Sequence, residues 1–298
     1  MNVGIDIGGS HVGLGVVDND GKILRKAGKI INPRIPNYKK VLETFIISTI
    51  KDLEKEFQIE HIGVGAPGIV KANRIEYCIN LNLVNYNLAG ILKKNFPNAR
   101  ITVNNDAKCA ALAEKNVGAL KDYKNAVFLC IGTGIGGAAF YRDKLINPNR
   151  CSGFEFGHII INTNGRNCNC GNRGCFEQYC SLKKLKGTIK RKYNLERNCE
   201  GEKLQAFIKA HKKDEDMQNI LREYIDNLCI GLSNIVNILE PDVICLGGGF
   251  AGYKDVLLKP LEKRFYSAKY LFYKKNPPKI VIAELENDAG IIGSGLFI

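Results

Sequence analysis

Glu155-Phe-Gly-His158 and, after nine residues, Cys168-Asn-Cys170-Gly171-Asn-Arg-Gly174-Cys175-Phe-Glu177 form the stretch around which the rest of the sequence is read. One imidazole and three thiols fall within 18 residues, a donor set that suits tetrahedral Zn²⁺ and leaves no position open for water. A structural metal held by His158, Cys168, Cys170 and Cys175 is therefore expected. Gly171 and Gly174 allow the backbone to curl tightly between the second and third thiols. Glu155 and Glu177 stand just outside the ligands, so closing the metal loop fixes the two carboxylates relative to each other. A cysteine-rich loop of free thiols and a nucleic-acid-binding zinc ribbon are the competing readings. The coincidence of spacing, histidine and glycines opposes the first, and the two Cys pairs usual in ribbons are missing for the second.

Working outward, the 298 residues and 45% apolar content allow two lobes with substantial cores. Met1 is followed almost at once by a strand-like run, without a basic region, apolar stretch and cleavage site, and no apolar run approaches the length of a membrane span. A cytoplasmic protein with no membrane partner is expected. The 11 cysteines are an odd count, and those outside the knuckle sit in scattered apolar contexts, as small reduced core residues do. A net charge of +13 invites a nucleic-acid reading. The lysines spread over many segments at helix-face spacing, however, which favours solvated faces and a mild attraction for an anionic nucleotide or polyphosphate.

Three strands run into glycine turns. Asn2 to Ile7 ends at Gly8-Gly9-Ser10 and returns as His11 to Val17, a hairpin whose tip lets backbone N–H groups approach an anion, with the Ser10 hydroxyl beside them. Asp6 at the strand end can hold a hydrated Mg²⁺. Asn125 to Ile131 runs into Gly132-Thr133-Gly134 and on into another strand, not a helix, which argues for a second phosphate hairpin over a dinucleotide fold. Pro241 to Leu246 ends at Gly247-Gly248-Gly249, before a helix-like segment from Tyr253. Elsewhere Tyr38 to Phe57 carries apolar residues mostly three or four apart, an amphipathic helix, whereas the region from Pro67 to Asn85 has no clear period and reads as loop-rich. Asp106 falls at a strand-to-helix corner, where it is either an N-cap or a general base.

These residues resemble a known family. The metal run is similar to the zinc signature of the ROK family, whose enzymes are ATP-dependent sugar kinases. Asp6-Ile-Gly8-Gly9-Ser10-His11 resembles its first phosphate motif, Asp-x-Gly-Gly-Thr-Lys, with Ser10 for Thr and His11 for Lys. Asn104-Asn105-Asp106-Ala107 resembles Glu-Asn-Asp-Ala, in which the Asp is the catalytic base and the Asn binds sugar; this decides for the base at Asp106. Asn80-Leu81 resembles a sugar-contacting Asn-Leu that Asn82-Leu83 repeats two residues on. Gly247 to Gly249 resemble the adenosine-binding turn, and Asn287 to Gly295 the closing helix.

The resemblance implies two ribonuclease-H-like α/β lobes of the actin-like ATPase type around a central cleft. They would be a small lobe of 1–108 and a larger lobe of 109–298 with the zinc knuckle, the last helix, about 288–298, being free to return to the small lobe. It implies ATP- and Mg²⁺-dependent phosphorylation of a hexose, most simply glucose to glucose 6-phosphate. Asp106 would accept the proton, and Asn80, Asn105, Glu155, His158 and Glu177 would hold sugar hydroxyls. Gly8, Gly9, Ser10, Thr133 and Gly134 would cradle phosphates, and Gly247, Gly248 and Gly249 would line the adenine. A homo-oligomer, dimer or tetramer, is implied as well. N-acetylmannosamine, N-acetylglucosamine, fructose and allose are the competing acceptors, and ATP is favoured over polyphosphate as donor. A sugar-sensing repressor would carry a winged helix ahead of the lobes; the Asp6 hairpin already begins at residue 3, so repression and nucleic-acid binding are not expected.

Overall fold

The computed structural model describes residues 1–9, 11–147, 154–267 and 269–298. Ser10 lies outside the described residues. The chain opens as an antiparallel meander of β1 (Asn2–Ile7), β2 (His11–Val17) and β3 (Ile23–Ile30), followed by α1 (Tyr38–Leu53) and by β4 (His61–Ala66), which pairs parallel to β1. The helix α1 forms because Tyr38, Leu42, Ile46 and Ile50 recur every fourth residue and bury one stripe. Each of those leucine and isoleucine side chains contributes roughly 2 kcal/mol on leaving water. After β4 the chain makes a small antiparallel sheet, β5 (Ile69–Lys71), β6 (Arg74–Cys78) and β7 (Leu83–Tyr86), in the region expected to be loop-rich. Its strands are three to five residues long and are joined by left-handed Ala72, Asn73 and Asn82, too short to establish a two-residue period. Helix α2 (Leu88–Asn95), β8 (Arg100–Asn105) and α3 (Asp106–Val117) complete this part.

The second part repeats the plan. Its sheet contains β9 (Ala126–Ile131), β10 (Ile135–Tyr141) and β11 (Lys144–Leu145), then, after the metal-ligand segment and helices α4 (Glu177–Cys180), α5 (Leu182–Lys192), α6 (Gly201–Ala210) and α7 (Glu215–Leu239), strand β12 (Val243–Gly247), helix α8 (Lys254–Phe265) and strand β13 (Lys279–Ile282). Strand order in the first sheet is β3-β2-β1-β4-β8 and in the second β11-β10-β9-β12-β13. Both are one permutation: an antiparallel meander extended by two parallel strands, the ribonuclease-H-like arrangement of a mixed α/β fold.

The chain divides into two compact units. The first contains Met1–Asp122, a short piece from Leu145, and Glu284–Ile298; the second contains Tyr123–Lys144 and Phe154–Ala283. The first unit therefore runs past residue 108 through the whole of α3, and it takes back α9 (Ala289–Leu296). Small residues explain how α9 fits. A Cβ on Gly4 would fall 1.8 Å from the Ile291 carbonyl oxygen, one on Gly63 would fall 1.7 Å from that of Ser294, and one on Gly293 would fall 1.8 Å from that of Cys109. Helix α9 thus meets β1, β4 and α3 backbone to backbone. Glu114 of α3, fully buried, ties down the approach to α9 by accepting hydrogen bonds from the amides of Leu285 at 2.8 Å and Glu284 at 3.2 Å. His61 fixes its far end, with Nδ1 2.9 Å from the Gly295 carbonyl and Nε2 2.6 Å from Thr102 Oγ1.

All ten described cysteines are free thiols, and no described helix is long and apolar enough to cross a membrane.

Candidate active site and metal centre

The corner between β8 and α3 is built by Asn105. Its Oδ1 accepts from the Lys108 amide at 3.1 Å and its Nδ2 donates to the Gly68 carbonyl at 3.1 Å. Asn105, not Asp106, is therefore the N-cap of α3, which removes the structural alternative considered for Asp106. Asp106 is the first helical residue; its Oδ1 accepts from the Ala107 amide at 2.8 Å, and it stands where the helix dipole favours a negative charge. Asn105 keeps one N–H and one lone pair beyond these bonds, enough for one hydroxyl. Asn80 is exposed on a single helical turn, Ile79–Leu81, closed by left-handed Asn82 at φ 51°. Burial first, and then the charge of Asp106, pushes up the thiol of Cys78, two residues before Asn80.

The first glycine hairpin closes with Gly8 N donating to the His11 carbonyl at 2.8 Å. A Cβ on Gly9 would have nothing within 4 Å, so this tip presents bare backbone. Beside it, burial and then the nearby charge of Asp106 push Asp6 up to about 7, with Lys26 pulling the other way. Asp6 retains some solvent access although protein surrounds its carboxylate: a Cβ on Gly290 of α9 would lie 2.8 Å from its oxygens. Two carboxylates, the charge of one raising the other, make a place where a divalent ion relieves repulsion. Lys26 of β3, ion-paired with Asp288, is a further functional candidate that belongs to no sequence motif. The meander brings it from outside the motif, and no local spacing signals it. His11, standing where the motif has a cation, instead lays its ring over Gly13 and Gly28; a Cβ on Gly28 would be 3.0 Å from its Nε2.

In the second unit the four metal-ligand candidates come together. One donor atom from each of His158, Cys168, Cys170 and Cys175 lies within 4.8 Å of all the others. Cys168 Sγ is 3.7 Å from His158 Nδ1, and Cys170 Sγ is 3.6 Å from Cys175 Sγ. The two glycines do what their spacing requires, Gly171 at φ 94° and Gly174 at φ 77°. The Cys168 amide donates to the Asn172 carbonyl at 2.8 Å, closing the loop. The knuckle is anchored on α7: the Phe176 ring fills the space that a Cβ on Gly231 would need, and the Tyr224 hydroxyl donates to the Cys180 carbonyl at 2.9 Å.

Glu177, the first residue of α4, links this knuckle to the second glycine hairpin. Its Oε1 is 3.4 Å from Cys168 Sγ, and its Oε2 would be 2.7 Å from a Cβ on Gly134. That hairpin closes with the Gly132 amide donating to the Gly134 carbonyl at 2.9 Å, and Thr133 is exposed at its tip. Buried Gln178 donates to both Cys168 Sγ at 3.5 Å and Glu177 Oε1 at 3.4 Å, a support that no pattern in the sequence signals. Glu155 is exposed at the start of the single turn Phe156–His158. In the third glycine turn the residues divide. Gly247 is buried because a Cβ there would meet the Phe128 ring at 2.8 Å; Gly248, at φ 65°, and Gly249 reach the surface.

The sequence profile of the ROK family matches residues 2–298. The glucokinase of Thermotoga maritima is 28% identical over 310 residues, spanning 99% of this chain and 96% of its own length. The N-acetyl-D-glucosamine kinase of Vibrio cholerae is also 28% identical, spanning 99% and 98%. The crystal structure of a ROK family glucokinase from Streptomyces griseus in complex with glucose and AMPPNP superposes with a TM-score of 0.86 at 25% identity, covering 99% of this chain and 97% of that one.

Proposed function

The chain belongs to the ROK family, and from that premise we propose that it transfers the terminal phosphoryl group of ATP to a hexose hydroxyl, most simply turning glucose into glucose 6-phosphate. The observation that carries the reading is end-to-end similarity to glucokinases together with Asp106 at a helix corner already capped by Asn105. Phosphoryl transfer asks the protein for positioning and charge neutralisation more than for covalent chemistry. Asp106 takes the proton of the attacking hydroxyl. Asn80, Asn105, Glu155, His158 and Glu177 hold the remaining hydroxyls. The bare amides of Gly8 and Gly9, with Thr133 and Gly134, receive the phosphates, and Gly248 and Gly249 lie against the adenine, beside buried Gly247.

Two metals fit the residues present. Tetrahedral zinc at the usual bond lengths sets its sulfur ligands about 3.8 Å apart and sulfur from nitrogen about 3.6 Å; the 3.6 Å and 3.7 Å separations in the knuckle support zinc at His158, Cys168, Cys170 and Cys175. With four protein ligands it supplies rigidity and leaves no place for an activated water. His158 faces the cluster through Nδ1, leaving Nε2 to donate to a sugar. Asp6 suits Mg²⁺, which would supply charge neutralisation at the phosphates, because a divalent ion reverses the cost of ionising a crowded carboxyl. A dimer or tetramer in the cytoplasm belongs to the same reading.

The Vibrio cholerae relative favours a second acceptor class, the acetamido sugars. The test is a panel of glucose, N-acetylglucosamine, N-acetylmannosamine, fructose and allose with ATP, followed by ADP release. Glucose is expected to give the highest kcat/KM. An acetamido sugar ahead of glucose would move the assignment to the second class, and no sugar-dependent ADP release from any of them would overturn the proposal.

A further inference from the structure

Helices α6, α7 and α8 of the second unit line a cavity of about 1010 Å³ that contains none of the residues assigned above. Its apolar lining is formed by Ile208, Leu221, Ile225 and Val256, with exposed Pro260 beside them. Around the opening stand five cations and two carboxylates. Two of the cations are already matched: Lys209 Nζ is 2.9 Å from Asp255 and Arg264 Nε is 2.5 Å from Asp226. Lys212, Arg222 and Lys263 are exposed, and their side chains find no carboxylate partner among the described residues. Three positive charges are therefore left around an apolar hollow.

Each feature narrows the occupant. The volume is at the upper end for organic ligands, about 300–1,000 Å³. An apolar wall gives inorganic phosphate nothing to bury against, while three uncompensated cations disfavour a neutral or cationic hydrocarbon. Helix α8 adds an acceptor. Pro260 lies inside it and has no N–H, so the Val256 carbonyl loses its helical donor four residues on. A ligand bearing an N–H or O–H can replace that donor. We propose that this cavity is a binding site for an organic anion with an apolar body, an aromatic or branched carboxylate, sulfonate or phosphate ester, held by Lys212, Arg222 and Lys263. The inference stands apart from the kinase reading, because none of these residues takes part in it.

The test uses the full chain and 8-anilino-1-naphthalenesulfonate, whose fused rings, N–H and sulfonate match the three features, followed by fluorescence titration. One saturable dye per chain is expected, undiminished by saturating ATP and glucose. Affinity is expected to fall at least about tenfold in Arg222→Glu/Lys263→Glu and again in Val256→Trp, which puts an indole against the apolar wall where the rings of the dye would lie. The same loss is expected when the dye is replaced by its analogue lacking the sulfonate. The charge-reversed protein should keep its melting temperature and hexose phosphorylation, so that lost binding is not lost folding. Displacement of the dye by ATP, or unchanged affinity in both variants, would overturn the assignment.

Discussion

In the first unit β1 delivers Asp6 to a glycine turn; at the corresponding place in the same strand order, β9 delivers Cys130. Each residue is the last but one of its strand, and each pairs with a glycine on the next parallel strand, Asp6 with Gly65 and Cys130 with Gly247. The backbone plan is duplicated, and the chemistry is not. A carboxylate raised by burial and by a second carboxylate makes the first turn a place for a cation, whereas a thiol gives the second turn no such charge. The second turn instead borrows a carboxylate, Glu177, from the metal knuckle. The repeated strand order puts a glycine turn at the same place in each unit, and single side chains assign the two turns different work.

The largest effect expected from breaking this comparison lies in the first unit, where glycines serve packing. Gly63→Ala places a Cβ 1.7 Å from the Ser294 carbonyl. A backbone oxygen cannot rotate away, so the cost should exceed the roughly 1–3 kcal/mol of ordinary overpacking, and thermal unfolding should show the variant unfolded or melting far below wild type. A wild-type melting curve would mean that α9 does not rest on β4.

The knuckle comes next. Protein prepared without chelator should contain about one zinc per chain. Cys175→Ser, or chelation, should lower the melting temperature by more than about 5 °C and raise the hexose KM, since thiolate ligation couples metal to folding. Negligible zinc by elemental analysis would contradict this.

Asp6 gives a smaller effect with a defined sign. Its carboxyl is raised to about 7 in the fold, against an ordinary value of 3.8. The folded state therefore keeps the proton after the unfolded chain has lost it, and stability falls as pH rises from about 4 to about 7 before levelling off. Asp6→Asn should melt like wild type at pH 4 and be more stable at pH 8, the gap opening between about pH 4 and about pH 7, with added Mg²⁺ narrowing the gap by stabilising wild type alone. Parallel pH curves for the two proteins would rule out the raised carboxyl. At the small end, Gly9→Ala meets nothing within 4 Å; it should leave stability within about 0.5 kcal/mol of wild type while raising the KM for ATP. An unchanged KM would remove the tip from phosphate binding.

Much of this was legible in residue order. The glycine turns, the strands that feed them and the four metal ligands are local patterns, and Gly171 and Gly174 adopt the left-handed angles that their placement requires. What sequence could not show depends on residues far apart in the chain. Lys26 reaches the Asp6 environment through the fold of the meander, Gln178 supports Cys168 without any period to mark it, and Glu114 meets Leu285 across 171 positions. The sheet of β5, β6 and β7 was missed because its strands are shorter than the windows in which alternation can be counted. The cap at α3 fell to Asn105 because hydrogen-bond geometry, not residue type, chooses between adjacent Asn and Asp.

The most direct measurement compares wild type with Asp106→Asn in two assays on the same preparation, glucose-dependent ADP release and glucose binding by calorimetry. If Asp106 is the base, turnover falls by about 10³-fold, within the range for removing a general base, while the affinity for glucose stays within a few fold. Turnover close to wild type would contradict the account at its centre.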